Sequence, residues 1–193
     1  MSGGDSAAPP VVETARLRLR TVDEQDAPAA ARLMTPAVSQ WLASWPSPLD
    51  EAGAAARLRR MREATRQGQA LCFAIEGRDD GVLMGLVMIV RAKYDPRRGD
   101  LGYWLGEVFH RHGYMAEAAA AAVAEAFLRL DLDAIEAGAQ PANEASLAIM
   151  RRLGMRPIDE RPVWAETRGR EERCAYYEIT RREHAARRAA GRR

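Results

Sequence analysis

Apolar and polar residues follow two periods along the chain, which predict strands and helices in turn. Leu17 and Leu19 share one face of a period-two segment, as in a strand with one buried side. In the first two helical segments, Asp23 or Asp26 is placed to cap the first and Gly68 to end the second. The predicted elements are strand 14–20, helices 23–34 and 49–66, strands 71–76, 82–91 and 100–105, helix 116–130, strand 134–139, helix 144–153, and strands 163–166 and 174–180.

The order of these elements predicts the fold class. It favours an α/β (α+β) chain with about four helices around a mixed, mostly antiparallel central sheet. The polar turn at 78–81 joins two of the strands into a hairpin. The sequence contains no internal repeat, so we expect one domain.

Composition is typical of a soluble globular protein. Of the 193 residues, 47% are apolar and 29% are charged. No apolar run approaches the roughly 20 residues that span a bilayer, so we expect no membrane partner. The Gly, Ser, Ala and Pro residues at the N-terminus do not form a signal peptide. We therefore expect a flexible arm over residues 1–12 and a cytoplasmic protein.

The cysteines and histidines do not suggest a metal site. Cys72 and Cys174 lie far apart in the sequence, without metal-like spacing. His110, His112 and His184 do not complete a ligand set with them. We expect two free, buried thiols and no metal.

Charge is unevenly distributed. Residues 181–193 contain six arginines and one glutamate, a local charge of +5, so the rest of the chain carries −3 of the net +2. We expect residues 183–193 to form a solvated, disordered basic tail. The alternative is that this tail contacts RNA through phosphate attraction.

The segment from His110 to Ala118 joins a strand to a long helix through a basic turn that contains Gly113. Such a turn directs backbone N–H groups toward one point before a helix N-terminus, which suits a pyrophosphate. Arg111 and His112 are placed to add side-chain contacts. The alternative is an ordinary strand-to-helix connection. A Rossmann glycine motif and a P-loop are both absent from the sequence.

Several segments together resemble the GNAT acetyltransferases, and most closely their RimJ/RimL-like branch, the ribosomal-protein N-acetyltransferases. The resemblance extends over about residues 12–182, with the domain at 13–182. The segments that carry it are Glu13-Thr14-Ala15-Arg16-Leu17-Arg18-Leu19-Arg20, Asp100-Leu101-Gly102-Tyr103-Trp104-Leu105, Gly113-Tyr114-Met115-Ala116-Glu117-Ala118, Asn143-Glu144-Ala145-Ser146 and Arg152-Leu153-Gly154-Met155.

The resemblance implies an enzyme that transfers an acetyl group from acetyl-CoA to a primary amine by direct attack. Acetyl-CoA is expected where the strand at 100–105 splays from the strand at 134–139. The residues that the resemblance implies for acetyl-CoA binding are Trp104, Leu105, His110, Arg111, His112, Gly113, Tyr114, Met115, Ala116 and Asn143.

The chain departs from the family pattern at three positions. The pyrophosphate loop usually reads Gln/Arg-x-x-Gly-x-Gly/Ala, and here those positions are His110, Gly113 and Met115. Met115 is compatible with the pattern because the contact is through its backbone N–H. His110 is expected to weaken the phosphate contacts or to make them sensitive to pH. Many members carry a tyrosine general acid where this chain has Met150, so that role is not transferred.

Two residues are the candidates for proton transfer. Asp100 is the first candidate base, through a water, with Glu107 as the second; the alternative for Asp100 is a surface carboxylate. Ser146 is the candidate proton donor to the departing thiolate. The alternative for Ser146 is a first-turn helix residue that bonds only to nearby backbone.

The acceptor amine is expected between the early helices and the late strands. Trp41, Trp45, Trp104 and Trp164 are candidates to line this pocket, with ordinary core packing as the alternative. The sequence leaves open whether the acceptor is a protein N-terminal α-amine or a small amine. It also leaves open a non-catalytic acyl-CoA sensor, an RNA-associated protein, and a homodimer through the late strands.

Overall fold

The computed structural model describes residues 11–191, which form one eight-stranded sheet with helices on both faces. The strands follow the order β1-β2-β3-β4-β5-β6-β8-β7, and every neighbouring pair is antiparallel except β5 with β6. The mixed, mostly antiparallel sheet expected from the sequence is confirmed. The strands are β1 (Val12–Glu13), β2 (Leu17–Thr21), β3 (Ala70–Gly77), β4 (Leu83–Arg91), β5 (Arg98–Leu105), β6 (Ala134–Ala139), β7 (Arg156–Ala165) and β8 (Arg170–Thr180).

Six α-helices accompany the sheet in residues 11–191, against about four expected. They are α1 (Ala27–Leu33), α2 (Pro36–Ser39), α3 (Glu51–Arg66), α4 (Tyr114–Arg129), α5 (Glu144–Leu153) and α6 (Arg181–Ala190). The single-turn helix α2 begins at a proline, which suits a first helical position. Short 3₁₀ turns at Glu24–Asp26 and Glu107–Phe109 complete the set. None of the helices in this part of the chain is long and apolar enough to cross a membrane.

The two faces of the sheet have different packing partners. On one face, α4 packs through a stripe of fully buried alanines, which lets its backbone approach the strands closely. On the other face, α1 and α3 cover Cys72, Leu86 and Trp104, with Leu58 of α3 fully buried. The alanine stripe consists of Ala118, Ala119, Ala122 and Ala126.

The parallel pair β5 and β6 stays together for only three residues on each strand. Arg98, Gly99 and Asp100 pair with Ala134, Ile135 and Glu136, and beyond them the strands separate. This is the splay that the family resemblance implied. Because the strands are parallel, the helices that follow them, α4 and α5, both start at the open edge of the gap.

The late hairpin is longer than the sequence pattern predicts. β7 starts at Arg156 rather than at residue 163, and β8 starts at Arg170 rather than at 174. Pro157, Pro162 and the charged residues between them masked the strand pattern. Prolines are compatible with β7 because it is the edge strand of the sheet.

The basic C-terminal segment is helical as far as the structure describes it, instead of disordered. Thr180 and Glu183 form a reciprocal capping box at the start of α6. The His184 ring packs on Phe127 with 5.1 Å between centroids. Arg181 donates to the Phe127 and Leu132 carbonyls at the end of α4, at 2.5 and 2.8 Å. Residues 192–193 and most of the arm expected at 1–12 lie outside the described residues.

Arg20 ties two strands to the start of α1. Its guanidinium donates to both carboxylate oxygens of Asp26 at 2.6 and 2.9 Å and to Glu76 at 2.8 Å. Asp26 is 6% exposed and Glu76 is 7% exposed. Asp26 also accepts the Asp23 N–H at 2.9 Å. One buried cation therefore compensates two buried carboxylates.

Replacing Arg20 is expected to destabilise the fold far more than replacing Arg18 on the same strand. Arg20→Met leaves Asp26 and Glu76 buried without their main cation, at a cost of about 3 kcal/mol in the free energy of unfolding. Arg18 is 3.8 Å from Glu76 and half exposed, so Arg18→Met is expected to cost less than about 1 kcal/mol. Urea denaturation of both variants measures the difference. Equal losses would contradict this account of the Arg20 site.

Candidate active site

A single cavity of about 800 Å³ occupies the gap between β5 and β6. It extends from the turn before α4, along α5, to the connection between α2 and α3 and the β7–β8 hairpin. Nine of the ten residues expected to bind acetyl-CoA line it, and His112 does not. The cavity therefore has one end at the predicted anion site and the other among the late strands.

The turn before α4 has the backbone geometry of an anion site. Arg111 and Gly113 both adopt left-handed conformations, with φ of 65° and 78°. The helix begins at Tyr114 without a side-chain cap, and its first helical bond in the turn runs from the Glu117 N–H to the Gly113 carbonyl. The N–H groups of Tyr114, Met115 and Ala116 precede that bond, so they are available to an anion.

Arg16 and Glu117 hold this turn in place. Glu117 accepts hydrogen bonds from the Thr14 hydroxyl at 2.6 Å and from the Arg16 N–H at 2.9 Å and Nε at 2.8 Å. Arg16 also donates to the His112 carbonyl at 2.9 Å and lies over the Tyr114 ring. The His112 ring stacks on the same tyrosine at 5.5 Å. The structure thus gives Arg16, Glu117 and the His112 ring contacts that fix the turn.

The backbone of β5 presents free donors to the cavity. The Gly106 N–H donates to the Met84 carbonyl at 2.9 Å, and Leu105 lies opposite Gly85. Bonded and non-bonded pairs alternate in an antiparallel ladder, so Leu105 is a non-bonded position whose N–H faces away from β4. By the same alternation the Trp104 N–H is engaged with β4. Leu105 is therefore the backbone donor that faces the gap.

His110 positions the same backbone. Its Nε2 is 2.9 Å from the Leu105 carbonyl, and since a carbonyl only accepts, Nε2 carries the proton. His110 therefore fixes the end of β5 beside the phosphate turn. This contact gives the histidine a role different from that of the Gln/Arg usual in the family pattern.

Asn143 and Ser146 form the start of α5 as the motif predicts. The Asn143 side-chain oxygen accepts the Ser146 N–H at 3.1 Å. The Ser146 carbonyl accepts from the Tyr103 hydroxyl at 3.3 Å, and burial raises the pKa of Tyr103 to about 12. Ser146 is half-buried and lines the cavity. Met150, at the position of the family tyrosine, is buried and also lines it.

Asp100 lies at the last paired position before the strands separate, opposite Glu136. Its side chain is partly exposed and does not line the cavity directly. Partial burial and the negative charge of Glu136 raise the pKa of Asp100, against the opposing effect of Arg161 and Arg98. Glu107, the second candidate base, accepts a hydrogen bond from Thr35 at the exposed rim.

Three of the four tryptophans line the cavity. Trp41 is partly exposed at its rim, and Trp45 and Trp104 are buried with 5.4 Å between their ring centroids. Trp164 is 57% exposed and is not among the lining residues, so its expected place in the acceptor pocket is not supported. The other two strand neighbours of Trp164, Val163 and Ala165, take that face instead.

The sequence analysis missed a charged latch that holds the acceptor end together. Arg168 donates to the carbonyls of Ser39 and Leu42 at 3.2 and 3.1 Å and to Glu172 at 2.6 and 2.8 Å. Gln140 donates to Glu172 at 2.6 Å. In the sequence, Arg168 and Glu172 read as an ordinary charged turn, because their partners are more than 30 and more than 120 residues away.

Tyr176 and Cys174 complete the wall formed by β8. A Cβ on Gly138 would come within 2.6 Å of the Tyr176 ring, so the glycine lets the ring lie across β6. Arg161 stacks over the other side of Tyr176 at 3.9 Å. Cys174 and Cys72 are both free and buried, and burial raises the pKa of each thiol. Among residues 11–191, three or more potential metal ligands are nowhere grouped together.

Comparison with known proteins places this architecture in a family. The candidate ribosomal N-acetyltransferase YdaF of Bacillus subtilis strain 168 is 26% identical over 104 residues, or 54% of this chain and 57% of YdaF. The chain thus matches little more than half of that relative. The uncharacterized N-acetyltransferase p20 of Bacillus licheniformis is 24% identical over 173 residues, or 89% of this chain and 97% of p20.

Among solved structures, Mycobacterium smegmatis RimJ in complex with CoA-disulfide superposes with a TM-score of 0.81. It is 25% identical, and the match covers 96% of each chain. Residues 16–156 match the acetyltransferase (GNAT) domain model, which is most of this chain. With the splayed strands and the anion-binding turn already described, this match shows that the chain belongs to the GNAT acetyltransferase family.

Proposed function

We propose that this acetyltransferase moves an acetyl group from acetyl-CoA to a primary amine, with a protein N-terminal α-amine as the acceptor class. The observation that carries the proposal is the continuity of one cavity across the β5–β6 gap, with an anion site at one end and a largely apolar recess at the other. Such a cavity suits a ternary complex in which amine and thioester meet at the gap.

The described residues fit acetyl-CoA as a substrate. The N–H groups of Tyr114, Met115 and Ala116 would hold its pyrophosphate, with Arg111 beside them. The pantetheine arm would pair with the free edge of β5 and contact Asn143. The Leu105 N–H would donate to the thioester oxygen, and a donor of this kind contributes about 3 kcal/mol to stabilising a developing oxyanion. RimJ, which has a similar fold, was solved with a CoA disulfide.

The electrostatics of the acceptor end favour an amine of low pKa. Glu172 is the one carboxylate among the lining residues that the structure describes, and Arg168 and Arg170 neutralise it. A free α-amine has a pKa near 8 and a lysine side chain near 10.4, so far more of the α-amine is neutral at pH 7. A site with little basic capacity of its own suits the α-amine better.

Proton transfer is assigned to the two predicted residues. Asp100 would accept the proton of the attacking amine through a water, since its carboxylate lies beside the gap but outside the lining. Ser146 would donate to the departing thiolate. Contact of the α6 basic face with RNA, and a homodimer, stay predictions.

The activity is tested by free-thiol release from acetyl-CoA, with peptides of varied N-terminal residues and with a panel of small amines. We expect turnover with free N-terminal peptides and none with the same peptides N-acetylated, even when they contain lysine. Turnover with small amines alone would overturn the acceptor class. Binding of acetyl-CoA without turnover on either panel would favour a sensor over an enzyme.

The pH dependence tests Asp100. Because its pKa is raised, the base is lost as pH falls through a value above the ordinary aspartate range, so kcat/KM for the amine should fall there. Asp100→Asn is expected to lower kcat about 100-fold and to remove that acidic limb, leaving only the ionisation of the amine. An unchanged acidic limb in the variant would assign it to another group.

A matched pair of variants tests Ser146. Ser146→Ala removes only the hydroxyl and keeps the N–H and C=O that bond to Asn143 and Tyr103. We expect kcat to drop about tenfold with KM for acetyl-CoA unchanged, because a thiolate leaving group needs limited assistance. Tyr103→Phe serves as the comparison. A larger loss in Tyr103→Phe than in Ser146→Ala would make the tyrosine the donor.

A further inference from the structure

Helix α5 lines the cavity along most of its length. Ala145, Ile149 and Arg152 all line it, and their spacing of four and three residues places them on one face of the helix. Seven residues of α-helix span about 10 Å. Ser146 and Asn143 mark the end of α5 near the proposed acyl group, so Arg152 marks the far end, in the last turn.

Arg152 is a cationic side chain in the cavity without an acidic partner. Three arginines line the cavity, and Arg168 is paired with Glu172. Arg111 and Arg152 lie within 4 Å of no carboxylate among residues 11–191. By contrast, Arg151, the neighbour of Arg152 on the same helix, pairs with Glu144 at 3.6 Å and does not line the cavity.

A purely structural reason for Arg152 is weak. An arginine in the last helical turn stabilises the helix dipole wherever its side chain points. That position is also served by Arg151 and by Arg187, which contacts Gly154 and donates to the Arg152 carbonyl at 3.5 Å. The dipole therefore does not account for a guanidinium that lines the cavity.

We infer that Arg152 binds the 3′-phosphate of coenzyme A and makes this chain discriminate against cofactors without that group. The inference rests on the proposed use of acetyl-CoA. Coenzyme A carries a pyrophosphate and a separate phosphate monoester, and the N–H groups at the start of α4 supply donors for one of them. Arg111 belongs to the same turn and serves the pyrophosphate. Arg152 belongs to a different helix and offers the planar donor pair that a second phosphate accepts.

A cycle of protein and ligand changes tests this assignment. Calorimetry gives the Kd of CoA and of dephospho-CoA, which lacks only the 3′-phosphate, for the wild-type chain and for Arg152→Ala. We expect the wild-type chain to bind CoA about tenfold more tightly than dephospho-CoA, as for a charge-assisted phosphate contact in partly exposed surroundings. In Arg152→Ala that ratio should fall to near one, with binding of dephospho-CoA unchanged.

Two control variants separate this role from general electrostatics. Arg151→Ala removes the same charge one residue away and should keep the tenfold ratio. Arg111→Ala should weaken both ligands by a similar factor and also keep the ratio. A tenfold preference that survives in Arg152→Ala, or a wild-type ratio of one, overturns the inference while acetyl-CoA use stands. Failure of the wild-type chain to bind CoA at all would overturn the proposed function as well.

Discussion

The separation of β5 from β6 after three paired residues is the constraint on which the site depends. Each residue of a strand carries a donor and an acceptor that need partners when they are buried. Where the strands diverge, the inner-edge groups of β5 past Asp100 have no partner strand. His110 satisfies one of them, the Leu105 carbonyl, and the Leu105 N–H remains for a ligand. The gap thus creates both the space and the hydrogen-bonding groups that a thioester can use.

An ion network lies just where the strands part. Arg98 bonds to Glu136 and Glu178, and Arg161 donates to Glu136 at 2.8 Å. Glu136 is 8% exposed, so its charge is compensated by two arginines from different strands. The network ties β5, β6, β7 and β8 together below the gap. It also sets the electrostatic environment of Asp100, whose raised pKa follows from its proximity to Glu136.

The cofactor half of the site could be predicted from the sequence because its determinants are local. The turn, its left-handed Gly113 and the uncapped start of α4 all lie within a few consecutive residues. Asn143 caps α5 three residues before Ser146, as the motif indicates. Helix 144–153 and strand 134–139 have the bounds that the pattern predicts. Local hydrogen bonding fixes such elements, so their signals survive in a single sequence.

The acceptor half could not be predicted because long-range contacts build it. Arg168 reaches back to Ser39 and Leu42, and the exposed Trp164 takes the face opposite to the one expected. The prolines and charges of β7 hid the strand that carries Val163 into the cavity. The two halves therefore differ in how the sequence encodes them. Because the acceptor wall depends on one loop, one hairpin and the latch between them, those segments can change while the cofactor half is kept. A single fold can in this way serve different amines without altering how it holds the thioester.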